Sequence, residues 1–122
     1  MKVYILDDDQ SIVRILEQII SEKKIGNIVG TQNNSFKPLT DIKIFKPDII
    51  IVDLLIPNLD GVSFVETVRS FDKTVRFIMV SQVTSKEMVS KAYEKGVTFF
   101  IHKPINAVEV LNVLAEMINH ME

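Results

Sequence analysis

Ile49-Ile50-Ile51-Val52-Asp53-Leu54-Leu55-Ile56-Pro57-Asn58-Leu59-Asp60-Gly61 is the most informative stretch of this chain. Its first four residues are β-branched and apolar at every position. A strand with one wet face would alternate apolar and polar residues. An unbroken apolar run belongs instead to a strand covered on both faces, as in a parallel sheet flanked by helices. Asp53 ends the run, and Pro57 and Gly61 shape a loop that leads into the next helical pattern.

The same signature recurs on both sides, in Val3 to Leu6, Ile28 to Gly30, Phe77 to Val80 and Phe99 to Ile101. Between the runs lie amphipathic segments. Ile12, Ile15, Leu16, Ile19 and Ile20 repeat at helical spacing, with Arg14, Glu17, Gln18 and Ser21 opposite. Val62, Phe64, Val65, Val68 and Phe71 repeat in much the same way. Thr84-Ser85-Lys86-Glu87 reads as a capping box ahead of Met88, Val89, Ala92 and Tyr93, with Gly96 as the stop. Asn106-Ala107-Val108-Glu109 opens the last helix similarly. The weakest element falls between Ser35 and Phe45, where Pro38 fits only a first helical turn. Five strands alternating with five helices, joined by right-handed crossovers, make a doubly wound α/β sandwich.

A chain of 122 residues suits one domain, taken as residues 1–122. With 47% hydrophobic residues it can bury a real core. The net charge of −2, with both signs interspersed, argues against a nucleic-acid-binding surface. Without cysteine there are no disulfides and no thiolate metal sites. The apolar run at the N-terminus is too short for a signal peptide, and no run approaches a membrane span, so a cytoplasmic location is expected.

In such a fold, ligands bind beyond the carboxyl ends of the strands. Asp7, Asp8 and Asp9 follow the first strand, Asp53 ends the third, Ser81 follows the fourth, and Lys103 with Pro104 follows the fifth. Several carboxylates, a hydroxyl and an ammonium therefore converge on one sheet edge. Packed carboxylates repel one another unless a cation joins them. A hard divalent ion with oxygen ligands, Mg²⁺ above all, is the natural remedy. One carboxylate could then attack phosphorus while Lys103 neutralises phosphoryl oxygens and Ser81 hydrogen-bonds to one of them.

The sequences Leu6-Asp7-Asp8, Asp53 to Gly61, Val80-Ser81 and Phe100-Ile101-His102-Lys103-Pro104 together resemble the receiver domains of two-component response regulators. The resemblance covers essentially the whole chain. It implies a flavodoxin-like sheet of order 2-1-3-4-5. It implies Asp53 as phosphoacceptor, and Mg²⁺ held by Asp8, Asp53 and the Leu55 carbonyl, with Asp7 acting through water. Ser81 and Lys103 would contact the phosphoryl group, and the Lys103–Pro104 bond would be cis. Phe100 would turn inward as Ser81 moves toward phosphate.

Three departures from the family pattern stand out. Leu55 and Val83 are apolar where fast-resetting members carry polar groups, so self-dephosphorylation is expected to take minutes to hours or longer. Gln82 is bulky where a small residue is usual. Phe100 lacks the hydroxyl of the commoner Tyr. Asp9 reads as a helix cap, His102 as pointing away from the site, and His120 as a surface residue in a helix's last turn.

The resemblance also implies a sensor histidine kinase as phosphodonor. Its output would run through helix 4, strand 5 and helix 5, to an output domain or a second copy, with transcription the commonest end. A surplus of apolar residues around Val110, Val113 and Met117 in the last helix is read as that contact surface. The chain would be a signalling switch, not an enzyme. It stands either alone or as the N-terminal part of a longer regulator. A phosphorylation-independent interaction module would be expected to lack Asp53, Lys103 or a paired acid, and all are present. A phosphohydrolase would need a cap for which the loops are too short. A flavodoxin-type nucleotide site would not place three acids after the first strand.

Overall fold

The computed structural model describes residues 1–32, 38–56, 59–83 and 85–121. The elements run β1 (Lys2–Leu6), α1 (Gln10–Glu22), β2 (Asn27–Gln32), α2 (Pro38–Phe45), β3 (Ile49–Asp53), β4 (Leu55–Ile56), β5 (Leu59–Asp60), α3 (Gly61–Arg69), β6 (Arg76–Ser81), α4 (Lys86–Glu94), β7 (Phe99–His102) and α5 (Ala107–Met121). Five strands form one parallel sheet in the order β2-β1-β3-β6-β7. This is the expected order 2-1-3-4-5 once the short β4–β5 hairpin is set aside. That hairpin is antiparallel and was not foreseen.

The unbroken apolar runs divide between two cores because successive strand residues face opposite ways. Tyr4, Leu6, Ile50, Val52, Phe77 and Met79 pack with Ile42 of α2, Phe64, Val65 and Val68 of α3, and Ala92 of α4. Val3, Ile5, Ile49, Ile51, Ile78 and Val80 pack with Leu16 and Ile20 of α1 and with Leu114 and Met117 of α5. Burying one such side chain contributes about 1.5–3 kcal/mol before entropy is charged against it.

Helix starts are set by short polar side chains. Asp9, Asp60 and Ser85 accept from the N–H groups of Ser11, Val62 and Met88. Asn106 accepts from Val108 and Glu109. Gly96 follows α4 at a φ of 117°, which a side chain rarely adopts. Gly61 has a different reason. A Cβ there would sit 2.6 Å from the Asp53 carbonyl oxygen, so only glycine lets α3 begin against the end of β3.

Four readings need correction. Ser85, not Thr84, caps α4, and Thr84 itself lies outside the described residues, as do Pro57 and Asn58. Phe71 lies beyond α3 and is exposed, because the helix ends at Arg69. Ile15 is exposed, and Val13 takes its place in the buried stripe of α1. Val110 and Met117 are not surplus: they are 1% and 2% exposed, and with Leu114 they are the face that covers the sheet. Val113 is half-buried against the same core. α5 is apolar around most of its circumference, so periodicity alone could not choose its inner stripe. The side chain of His120 lies outside the described residues.

Candidate functional site

Parallel strands deliver their carboxyl ends to one edge of the sheet, and the site residues arrive there from four of them, β1, β3, β6 and β7. Asp53 is the last residue of β3, beside Val80 of β6. Ser81 closes β6 beside His102 of β7, and the Lys103 N–H donates to the Ser81 carbonyl at 2.9 Å. Asp7 and Asp8 follow β1 directly.

Lys103 joins the strands electrostatically. Its Nζ lies 2.9 Å from Asp53 Oδ2 and 3.1 Å from Asp7 Oδ2. All three side chains are buried or nearly so. Burial works to lower the Lys103 pKa, but the hydrogen bond to Asp53 and the charge of Asp7 outweigh it and hold it above the ordinary value. Asp7 is raised above the usual carboxylate value. Burial and the Asp53 charge prevail there over the Asp9 N–H bond and Lys103. The Asp9 N–H donates to Asp7 Oδ1 at 2.8 Å, and the Leu55 N–H donates to Asp53 Oδ1 at 3.1 Å. The acids are thus oriented by backbone that the loops supply.

Asp7, Asp8 and Asp53 each present a carboxylate oxygen, all within 4.8 Å of one another. Three carboxylates against one ammonium leave an excess of two negative charges. That donor set, oxygens alone with a twofold charge deficit, fits a hard dication such as Mg²⁺. A cleft of about 380 Å³ opens above it, lined by Asp8, Asp9, Asp53, Leu55, Ser81, Gln82 and Lys103. Ser81 is buried, and its hydroxyl oxygen accepts from the Val83 N–H at 3.2 Å. Leu55, on the unforeseen hairpin, is 62% exposed at the rim.

The Lys103–Pro104 bond is cis. Phe100 lies partly buried against the core. Its ring meets that of His102 at 4.9 Å, and His102 is exposed beside the sheet edge rather than in the cleft. Two contributors escaped the sequence reading. Asp9 lines the cleft as well as capping α1. Tyr93 of α4 accepts a hydrogen bond from the Phe100 N–H at 3.0 Å, which ties α4 to the edge strand β7. Only the tertiary fold brings Tyr93 and Phe100 together in this way.

Comparison with known proteins agrees with this geometry. A family model described as the response regulator receiver domain matches residues 3–115. The transcriptional regulatory protein GlnL of Bacillus subtilis is 38% identical over 100% of this chain, and the chain spans 39% of that protein's length. The chemotaxis protein CheY of the same species is 28% identical, over 92% of this chain and 93% of that one. Among solved structures, the CheX-CheY-BeF3-Mg complex from Borrelia burgdorferi matches with a TM-score of 0.90 and 28% identity, covering 97% of this chain and 89% of that one.

Proposed function

The chain belongs to the response regulator receiver domain family, and from that premise we propose that it is a phosphorylation switch whose acceptor is Asp53. The observation that carries the reading is the meeting of Asp7, Asp53 and Lys103 from three strands, with Nζ–oxygen distances of 2.9 and 3.1 Å. A CheY similar to this chain has been solved with beryllium fluoride and magnesium, which supports the same use of this cleft.

Asp53 Oδ attacks the phosphorus of a donor such as a phosphohistidine. The new O–P bond forms as the P–N bond breaks, and the imidazole nitrogen keeps the electron pair and takes a proton. Asp8, Asp53 and the Leu55 carbonyl would hold Mg²⁺, with Asp7 acting through water, and the ion supplies positive charge to offset the acids and the transferred oxygens. Lys103 gives its hydrogen bonds to a phosphoryl oxygen once Asp53 no longer bears its own charge. Ser81 turns its hydroxyl to donate to another. The Asp9 and Leu55 N–H groups keep the acids in place meanwhile. Ser81 and Phe100 then change position together and shift the surface of α4, β7 and α5. Leu55 and Val83, being apolar, offer no polar group to position a hydrolytic water, so reset is slow.

A sensor histidine kinase is the proposed donor. Residues 1–122 are proposed as the N-terminal receiver of a longer cytoplasmic regulator of transcription, a reading supported by the name of GlnL and by the share of it that this chain spans. The receiver itself has no turnover substrate and no nucleic-acid or membrane contact. With Val110 and Met117 buried, the contact surface for an output domain or second copy narrows to exposed Tyr93 and Val108 and the half-buried residues of α5.

The test is intact mass after incubation with acetyl phosphate. One phosphoryl adduct that requires Mg²⁺ and is missing from Asp53→Asn is expected. A folded wild-type chain that takes no adduct from any donor overturns the reading in favour of an interaction module.

A further inference from the structure

The opposite end of the sheet, where the strands begin, carries a cavity of about 590 Å³, larger than the acidic cleft. Its floor is Ile42, Pro47 and Val75, all buried. One wall is a turn closed by a carboxylate, Asp72, and the other is the start of β3, which Asp48 ties to the start of β1. Asp48 accepts from the Lys2 N–H at 2.7 Å. Asp72 Oδ1 accepts from the Thr74 N–H and hydroxyl and from the Val75 N–H. Each acid thus has one oxygen held by backbone N–H, and these bonds give the cavity a preformed shape.

The cations are left over. Lys43, Lys46 and Arg76 line the cavity. Among the described residues, none of the three forms an ion pair. Lys43 places its ammonium 4.8 Å from the centre of the Phe71 ring, and Phe71 is 42% exposed. Lys46 holds a φ of 50°, a region glycine would enter freely. Arg76 heads a strand, so no helix dipole accounts for it. Fixed polar groups, an apolar floor, a half-exposed aromatic ring and, among the described residues, two cations without an ion pair are the parts of a small-molecule site.

We propose that this cavity binds a small anion carried on a flat apolar or aromatic body, with the anion held by Lys46 and Arg76 and the ring set against Ile42, Val75 and Phe71. The site is separate from Asp53 and does not depend on phosphorylation.

The test uses the whole chain, labelled for amide spectra and free of Mg²⁺ and phosphodonors, so that chemistry at Asp53 plays no part. Naphthalene sulfonate is the probe; sulfate and naphthalene methanol are its charge-only and ring-only halves. Saturable shifts confined to residues 42–48 and 71–76 are expected. They should weaken as salt rises and be roughly tenfold weaker in the double variant Lys46→Gln, Arg76→Gln. Either half alone should bind more weakly than the whole probe. Shifts that fail to saturate, that scatter over other surfaces or that ignore salt overturn the proposal. So does naphthalene methanol binding as well as the sulfonate, or a folded double variant that binds like its parent. Should the double variant not fold, the salt dependence and the two halves decide the matter on wild-type protein.

Discussion

Asp7 and Asp72 lie at opposite ends of one sheet, and their acidities are shifted in opposite directions. Asp7 is buried beside a second carboxylate, so burial and the Asp53 charge raise its pKa despite Lys103. Burial also works to raise Asp72, but the N–H groups of Thr74 and Val75, the Thr74 hydroxyl and the Arg69 charge overcome it and lower the pKa. A carboxylate whose hydrogen-bonding capacity closes a turn is relaxed and stabilising. One gathered with others for chemistry remains in repulsion, which a cation or phosphoryl transfer can relieve.

The comparison can be broken most directly at Lys103. Replacing it by Met removes the ammonium that pairs with both Asp7 and Asp53 and should destabilise the Mg²⁺-free fold by about 3 kcal/mol. The rate of adduct formation should fall roughly a hundredfold. Urea unfolding with and without Mg²⁺ measures the first effect, and unchanged stability would mean that the acids need no counter-charge. At the other end, Asp72→Ala strips three hydrogen bonds from the turn before β6 and should cost about 2 kcal/mol. Mg²⁺ should stabilise Asp72→Ala and wild type alike and leave this deficit unchanged, since no site acid is touched.

Asp7→Asn sharpens the contrast, because its effect carries the reverse sign. Without Mg²⁺ at neutral pH this loss of a carboxylate should stabilise the fold by about 1 kcal/mol. An acid whose folded pKa is raised favours the fold at low pH and loses that contribution as pH rises from 3.8 through the folded value. Wild-type stability, taken relative to that of the Asn variant, should therefore decline across that window. Asp72, with its folded pKa depressed, loses its contribution only as pH falls below 3.8. Denaturant titrations at several pH values separate the two. The smallest effect is expected from Tyr93→Phe, which removes the acceptor for the Phe100 N–H and should cost about 0.5 kcal/mol. Hydrogen exchange at Phe100 should quicken, with the rest of β7 unaffected.

What could be read in advance follows the range of the physics. The central strands showed themselves because double-sided burial leaves a local mark, four apolar residues in a row, and the half-buried edge strands left a shorter one of three. The caps at Asp9 and Asn106 were legible because a cap bonds two or three residues away. The stop at Gly96 was legible because glycine enters a positive φ without cost. Misreadings arose where several local answers were equally good. Thr84 and Ser85 are both competent caps, and α5 offers apolar residues on almost every side. The hairpin over the cleft has only two paired residues on each strand, too few for a pattern.

The sequence by itself determined the alternation of strands and helices and the list of charged residues at the strand ends, since both depend on near neighbours along the chain. Tertiary structure alone decided that Lys103 bridges Asp7 and Asp53, 96 and 50 residues away. It alone turned Val110 and Met117 inward, carried Tyr93 to Phe100, and left Lys46 and Arg76 without an ion pair among the described residues. Distances and dielectric surroundings are properties of packed elements, and no short window of sequence contains them.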